Sequence, residues 1–440
     1  VIRTGETVQL KLPGFSQTSG TVPTFDTLGP SAAAFSLATW SESAKTLTLT
    51  CSGKNINNEV IDVRVPLSAG LTIPAAGIRI PLPDGAPKFT HYTTADERIN
   101  AGLGITVYPR EVLGLLPVGS FMATPTISFG YPLVGATTPI QVSFSASMEI
   151  AEGDTVSLTL TGFTCEEGKG CSGAIPFNVS SVPPTYFEFA SWSPAAERLT
   201  LTAAADIPPG SLARVSLSRL GGLQVAPDGL VRNDPSLLIA SNAAAGPVLA
   251  TPITTSPPIG SFATRAVDFL STPGNPLVAG RPVAIEVTLG LNRDMLKGER
   301  ITLHLAGFSR DNVSTPVETG NPILPLAHWD EGTQDLVLEA VELLQVGTQA
   351  VLRLAPQQAR IRLPPRGIGK NSMALTLSTD AALGPVSVPQ SIGNNGPTGA
   401  FSDTRASFFP PAAGEIVEIH IEFTVWMPMQ GQPVDSFVLQ

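Results

Sequence analysis

Charged residues are scarce in this sequence, and the shortage argues against two classes of partner. Only 14% of the 440 residues are charged, the net charge is −10, and no basic stripe is present. A nucleic-acid-binding surface depends on lysine and arginine to neutralise the phosphate backbone. No apolar run approaches the roughly 20 residues needed to span a bilayer. We therefore expect neither a nucleic-acid partner nor a membrane span.

The side chains and motifs of catalysis are equally rare. The chain has four histidines, and no two stand at the spacing of metal ligands. No nucleophile elbow, phosphate-binding loop or zinc-protease motif occurs. Glu166 and Glu167 are adjacent in the chain, which does not give the opposed geometry of a glycosidase pair. We expect no enzymatic activity, no cofactor and no metal site.

Cysteine is nearly absent, and the three that occur fall into two kinds. Cys165 and Cys171 bracket "CEEGKGC", a short glycine-containing loop that can close as a local disulfide. Cys51 is in register with Leu47 and Leu49 on the inward face of a predicted strand. A thiol in that position is typical of a small buried apolar residue rather than a nucleophile.

Two sequons for N-linked glycosylation occur, at Asn178 and Asn312, both in predicted loops after a Gly-Phe turn. Together with the disulfide candidate, they favour an extracellular or cell-surface protein that carries covalent glycans. The chain begins at Val1 with neither Met nor a signal peptide, which predicts a mature or partial product.

Proline and glycine are abundant, at 41 residues each, and one long pattern repeats three times. A stretch with a single tryptophan occurs as "FSLATWSESAKTLTLT" (35–50), "FEFASWSPAAERLTLT" (187–202) and "LPLAHWDEGTQDLVLE" (324–339). Upstream of it stand "GETVQLKLPGF" (5–15), "GDTVSLTLTGF" (153–163) and "GERITLHLAGF" (298–308). A turn that contains proline and ends in glycine follows in each copy, at Gly77, Gly229 and Gly367. Blocks that recur in fixed order indicate tandem domains.

Each repeat also has a recurring start. The starts are "GSFMATPTISFGYP" (119–132), "GSFATRAVDFLSTP" (260–273) and "GAFSDTRASFFPP" (399–411), each followed by a strand of alternating apolar residues. Alternation with period two predicts a half-buried strand. In the last copy the residues predicted to face a core are Val417, Ile419, Ile421 and Phe423.

These patterns predict an all-β protein of tandem, immunoglobulin-like antiparallel β-sandwich domains. The expected domains are residues 1–118, which lack the first strands, 119–259, 260–398, and a partial domain 399–440 that has only the first strands. The tryptophan of each repeat is interpreted as a core residue at the start of a hairpin; the alternative is an exposed tryptophan that stacks on carbohydrate.

What the first domain lacks, the last segment carries. An unfinished sandwich exposes an apolar cleft and open strand edges, which favour pairing with another chain. We therefore expect a head-to-tail homopolymer in which one copy completes the next by strand complementation. The expected interface comprises Val8, Leu10, Leu12, Val417, Ile419, Ile421 and Phe423.

The repeats resemble those of large tandem immunoglobulin-like surface proteins of microorganisms, over nearly all of the chain. The incomplete ends resemble fibre subunits that polymerise by strand exchange, as in several bacterial pilins. That resemblance implies an amino-terminal donor, here residues 1–12 with Val8, Leu10 and Leu12 as anchors. The sequence departs from the pattern because it also presents a two-strand fragment at its carboxyl end, so both directions of donation stay open.

Two alternatives remain at this stage. In the first interpretation, the chain is a segment of a longer repeat protein. In the second, it is a rod-like surface adhesin or carbohydrate-binding repeat protein. The aromatic candidate for such binding is Tyr186, in "SVPPTYFEF".

Overall fold

The structure is a computed structural model that describes residues 1–425 apart from 54, 81, 83–84, 173–176, 272–276, 312–314 and 412. All of its strand ladders are antiparallel, and the strands fall into sheets that repeat along the chain. We call residues 1–118, 119–259 and 260–398 the first, second and third repeats, and residues 401–425 the terminal hairpin.

The first repeat has a single large sheet. Its elements are β1 (Thr7–Lys11), β2 (Ser16–Gln17), β3 (Thr24–Asp26), β4 (Leu37–Ser41), β5 (Thr46–Thr50), β6 (Leu71–Thr72), β7 (Thr90–Thr93), α1 (Thr94–Ala101) and β8 (Arg110–Glu111). Six strands form the sheet in the order β3-β4-β5-β1-β7-β8, and β2 pairs with β6. Among the described residues of this repeat, no second large sheet covers the first.

The second repeat has two sheets. Its strands are β9 (Phe121–Phe129), β10 (Ile140–Ala146), β11 (Thr155–Leu160), β12 (Thr164–Cys165), β13 (Phe177–Asn178), β14 (Ser180–Val182), β15 (Phe187–Ser193), β16 (Arg198–Ala203), β17 (Leu212–Leu217), β18 (Leu223–Gln224), β19 (Leu237–Ser241) and β20 (Val248–Pro252). The six-stranded sheet has the order β13-β15-β16-β11-β19-β20, which matches the first repeat. A four-stranded sheet, β14-β17-β10-β9, lies opposite it.

The third repeat follows the same plan. Its elements are β21 (Phe262–Leu270), β22 (Ala284–Leu291), β23 (Arg300–Leu305), β24 (Ser309–Arg310), β25 (Val317–Glu318), β26 (Leu326–Asp330), β27 (Asp335–Glu339), β28 (Gln349–Leu354), α2 (Pro356–Ala359), β29 (Ile361–Arg362), β30 (Leu375–Thr379) and β31 (Val386–Ser391). Six strands, in the order β25-β26-β27-β23-β30-β31, pack against the sheet β21-β22-β28.

Alternation builds the core between the paired sheets. In β11, "TVSLTL", Val156, Leu158 and Leu160 are fully buried while the threonines and the serine between them are half-exposed. Val142 and Val215, from the opposite sheet, belong to the same buried cluster. Each fully buried aliphatic side chain of this kind stabilises the fold by about 1.5–3 kcal/mol. The predicted β-sandwich architecture is confirmed.

The terminal hairpin consists of β32 (Phe401–Phe409) and β33 (Glu418–Val425), paired in register with Phe408 opposite Ile419 and Ala406 opposite Ile421. It forms a two-stranded sheet that is joined to no further strand among the described residues.

A glycine turn ties the end of each repeat to the start of the next. Gly229 has φ +68°, and a Cβ there would lie 2.1 Å from the carbonyl oxygen of Ile259. The next residue, Leu230, exchanges two backbone hydrogen bonds of 2.9 Å with Ile259. Any side chain at position 229 would break this contact, so the turn at Pro227-Asp228-Gly229 positions the strand that opens the following repeat.

One element of the first repeat lies outside the strand pattern. Helix α1 is inserted between β7 and β8, where the second repeat passes directly from β19 to β20. Its signal is local: the Thr93 side chain accepts a hydrogen bond from the backbone N–H of Ala95, and Asp96 and Glu97 occupy the first turn. These are the usual residues of a helix N-terminus.

Candidate assembly interface

The first repeat contains an open apolar groove of about 520 Å³. Its walls come from the inner face of the six-stranded sheet and from the segment 61–65. The apolar lining residues are Ile2, Val8, Leu10, Phe35, Leu47, Leu49, Ile61, Val63 and Val65. The polar residues around it are His91, Tyr92, Thr93, Asp96 and Arg110.

The groove lies where the other repeats have their second sheet. Val8 and Leu10 of β1 are only half-buried, whereas Leu158 of β11 and Leu303 of β23, at the position of Leu10, are fully buried. In the second repeat the second sheet, which includes β10, closes over this face. Within the described residues, the six-stranded sheet of the first repeat therefore has an apolar inner face that no second sheet covers.

The segment 61–65 of the first repeat corresponds to β17 of the second and β28 of the third, yet it forms no strand. One edge is occupied: Arg64 and Leu28 exchange backbone hydrogen bonds of 2.7 and 2.8 Å, and the Asp62 carbonyl accepts one from Ser31. Within the described part of the chain, no hydrogen bond reaches the backbone groups of Ile61, Val63 or Val65. Alternate residues of a strand bond to opposite sides, so these three face an open edge.

The terminal hairpin is complementary to the groove: it has an apolar face, and no opposing sheet packs against that face among the described residues. Phe408, Ile419 and Ile421 share one face, and their side chains are 53%, 56% and 38% exposed. At the equivalent positions of the second repeat, Phe129, Ile140 and Val142 are all buried. A hairpin of two strands is marginally stable by itself in water, and it gains stability when its apolar face is covered.

The residues predicted for the interface are placed in two separate groups. Val8 and Leu10 line the groove, while Leu12 is half-buried just beyond β1 and outside the lining. Ile419, Ile421 and Phe423 lie on β33, and Val417, half-buried, directly precedes it. The sequence reasoning missed the segment 61–65. The signal for it was the alternation of Ile61, Val63 and Val65.

The amino-terminal segment is not arranged as a donor strand. Strand β1 pairs with β5 on one side and with β7 on the other, in the middle of its own sheet. Its inner residues, Val8 and Leu10, therefore form part of the groove's floor. The donor role that the pilin resemblance implies for residues 1–12 stays a prediction.

The acidic residues that recur after a glycine have a structural role in each repeat. The carboxylate of Glu6 accepts a hydrogen bond from the backbone N–H of Arg3, Asp154 accepts one from Ala151, and Glu299 accepts one from Leu296. The Arg3 hydrogen bond, with a further bond from Arg98, lowers the pKa of Glu6. These carboxylates therefore stabilise turns.

The tryptophans are core residues in the first two repeats: Trp40 and Trp192 are buried, and Trp329 is partly buried against the third core. The Trp40 indole N–H donates to Glu42 at 2.7 Å. Hydrogen bonds from Lys45 and from Trp40 lower the pKa of Glu42 to about 2. In the second repeat Pro194 stands where Glu42 would, and the buried Trp192 N–H has no hydrogen-bond partner among the described residues.

The modification sites have different outcomes. The structure joins Cys165 and Cys171 in a disulfide, and Cys51 is buried. Asn178 lies in the short strand β13 rather than in a loop, because it pairs with Phe189, and it is exposed. Asn312 lies outside the described residues.

Among the described residues, no group of three or more His, Cys, Asp or Glu side chains is arranged to hold a metal ion. Neither of the two α-helices there is long and apolar enough to cross a membrane. Tyr186 is half-buried against the second core rather than exposed as part of an aromatic cluster.

No protein family matches the chain, and no curated protein matches its sequence. Two solved structures of Streptococcus agalactiae are similar in part. A serine-rich repeat adhesion glycoprotein is 9% identical over 61% of this chain and 93% of its own, with a TM-score of 0.18. A serine-rich repeat protein is 10% identical over 58% of this chain and 86% of its own, with a TM-score of 0.18. Similarity at this level bears on neither the fold nor the function of this chain.

Proposed function

We propose that the protein is a structural subunit of an extracellular filament, in which copies join by β-strand complementation. The observation that carries the proposal is the uncovered sheet of the first repeat, next to two repeats in which the same sheet is covered. An apolar groove of this kind, bordered by an open strand edge, favours the addition of strands from another chain.

The occupant that fits the groove is the terminal hairpin of a second copy. Its strands share the sequence pattern and the antiparallel pairing of β9–β10 and β21–β22, and the described part of the first repeat contains no such strand pair. The groove and the hairpin are different surfaces at different ends of the described chain. A contact between unlike surfaces propagates from copy to copy, so it generates an open filament unless it closes into a ring.

The extracellular location is proposed from chemistry. A disulfide such as Cys165–Cys171 persists in oxidising compartments, and Asn178 of the first sequon is exposed to solvent. Asn178 is consequently proposed as a glycan attachment site, and glycans on the sheet edge would point away from the core.

Electron microscopy and light scattering test the proposal on the full chain and on a variant without residues 399–440. We expect filaments whose length increases with concentration from the full chain, and monomers from the truncated chain. A full chain that stays monomeric at high concentration contradicts the proposal. Clumps from both chains without filaments contradict it as well.

A second function, a rod-like surface adhesin, is compatible with the same filament. The observation that favours it is a cavity of about 330 Å³ lined by residues of two neighbouring repeats, including Tyr131, Arg265 and Gln390. The Tyr131 ring also lies under the Arg219 guanidinium, 4.5 Å from the ring centroid. Glycan-array binding that is lost in Tyr131→Ala and retained in Tyr186→Ala would support an adhesive role.

A further inference from the structure

We infer the direction and the register of the joint: β33 of one copy pairs antiparallel with the segment 61–65 of the next copy, placing Ile419 opposite Val65 and Ile421 opposite Val63. This inference rests on the proposed function and adds to it the donor, the acceptor and the pairing. The carboxyl-terminal hairpin is the donor, and the first repeat is the acceptor.

The register comes from two templates within the same chain. In the second repeat Ile140 pairs with Leu217 and Val142 with Val215. In the third repeat the corresponding strands pair in the same register, in which Ile285 is opposite Leu354 and Val287 opposite Leu352. A slip of one residue would turn the apolar face of β33 towards solvent, so register is strongly specified here.

The acceptor segment is prepared for this pairing. Its bonds to residues 28–31 hold one edge, as β14 holds β17 in the second repeat. The backbone groups of Val63 and Val65 face the other edge, and the side chains of both line the groove. A strand that bonds to this edge thus covers the apolar floor at the same time.

The donor is presented with the geometry that opens each complete repeat. Ile368 and Thr398 exchange two backbone hydrogen bonds of 2.8 Å just before the hairpin. Val118 pairs in the same way with Ile78 before β9, and Ile259 with Leu230 before β21. The hairpin therefore leaves the third repeat as β21 leaves the second, and the composite domain would continue the series.

The outer face of the joint carries one unfavourable contact. In the inferred register Glu422 is opposite Asp62, at the position where Ser143 is opposite Arg214 in the second repeat. His420 is opposite Arg64. Both pairs lie on the solvent side, and the like charges of Glu422 and Asp62, directly across the two strands, weaken pairing. Because of this contact, pairing in the inferred register should respond to changes in charge as well as to changes in apolar packing.

Disulfide trapping tests the inference on the full-length chain. Molecules with Val63→Cys are mixed with molecules with Ile421→Cys, oxidised, and run on a non-reducing gel. Paired residues of antiparallel strands are about 4.5–5.5 Å apart at Cα, which suits a disulfide. We expect covalent heterodimers from this mixture, and their loss when Ile421→Cys is replaced by His420→Cys, whose side chain points away from the groove.

The outcomes distinguish a failure of the inferred register from a failure of the proposed function. The inferred register is wrong if filaments form without the link between positions 63 and 421. It is also wrong if the link forms between Val65→Cys and Ile421→Cys instead. In both cases the proposed filament still stands. Samples with neither filaments nor links overturn both.

A further sample carries Val63→Cys and Ile421→Cys in the same chain. Links that form only within one such molecule mean that the hairpin closes on its own first repeat, which overturns the joint between copies. The parent chain, which keeps Cys51, reports any background link. Val142→Cys with Val215→Cys in the same chain shows whether a disulfide forms between residues paired in this register.

Discussion

Val142 of the second repeat and Ile421 of the terminal hairpin occupy the same place in the repeat and have different environments. Val142 has 0% of its surface exposed, and Ile421 has 38%. Both lie on a strand of alternating residues, and both have a paired neighbour, Ile127 and Ala406. The difference lies in the opposite sheet, which Val142 meets within its own chain.

The acceptor segment 61–65 also depends on a partner, in this case for its backbone hydrogen bonds. Residues 212–217 form strand β17 because β10 and β14 bond to its two edges. Residues 61–65 have a similar apolar alternation and a neighbour on one edge, and they form no regular strand. Strand structure at this position therefore depends on the partner at least as much as on intrinsic propensity.

The largest expected effect comes from placing a charge at two equivalent positions. Val287→Asp buries an unpaired carboxylate in the third core, and we expect the free energy of unfolding of that repeat to fall by about 4 kcal/mol or more. Ile421→Asp should change the unfolding of the monomer by less than about 0.5 kcal/mol and abolish filaments. Denaturant titration and electron microscopy measure the two effects.

The matched control for the hairpin is His420→Asp, on its outer face. This variant should still form filaments, because the apolar face of β33 is unchanged. Filaments from Ile421→Asp, or equal losses in both hairpin variants, contradict the comparison.

A smaller difference is expected on the floor of the groove. Leu158→Ala leaves a cavity in a closed core and should cost about 2–5 kcal/mol of unfolding free energy. Leu10→Ala, at the equivalent but half-buried position, should cost about 1 kcal/mol in the monomer, because less apolar surface is lost from contact. Thermal unfolding of monomers checks this. Equal costs at both positions would mean that the groove is closed in solution.

A change in the charge pair of Glu422 and Asp62 across the inferred joint should alter the free energy of association by a few tenths to about 1 kcal/mol. Asp62→Lys replaces the repulsion of Glu422 by attraction, so filaments should form at lower concentration, and added salt should reduce the gain. The critical concentration is read from light scattering. Asp268→Lys, on an exposed position of β21, controls for the change in net charge.

The smallest expected effect is on the stability of the first repeat in acid, through Glu42 in the hairpin of Trp40. Because the pKa of Glu42 falls from its ordinary value of 4.5 to about 2 on folding, the charged carboxylate stabilises the first repeat above pH 4.5. This contribution is lost as the pH falls from 4.5 towards 2. Glu42→Gln should remove that part of the acid dependence, whereas Pro194→Ala in the second repeat should leave it intact. Tryptophan fluorescence against pH follows the transition.

Much of the fold was predictable from local pattern. Alternation in "TVSLTL" and "VEIHIEF" defines strands and their inward faces, since the period of two is a property of the strand itself. The inward positions of Ile419 and Ile421 on the hairpin follow from that rule alone. Helix α1 carried a local signal in Thr93, Asp96 and Glu97, which a search for long helical periods does not detect.

The tertiary structure decided what the pattern leaves open. Which strands pair, and which face remains uncovered, depends on residues far apart in the chain, such as Val63 and Val142. The sequence by itself determined the repeat, its strands and its apolar faces, because these arise from short-range sterics and hydrophobicity. Only the tertiary structure assigned the groove to the first repeat, placed β1 in the middle of its sheet and exposed the edge at 61–65, because pairing is a property of surfaces brought together by folding.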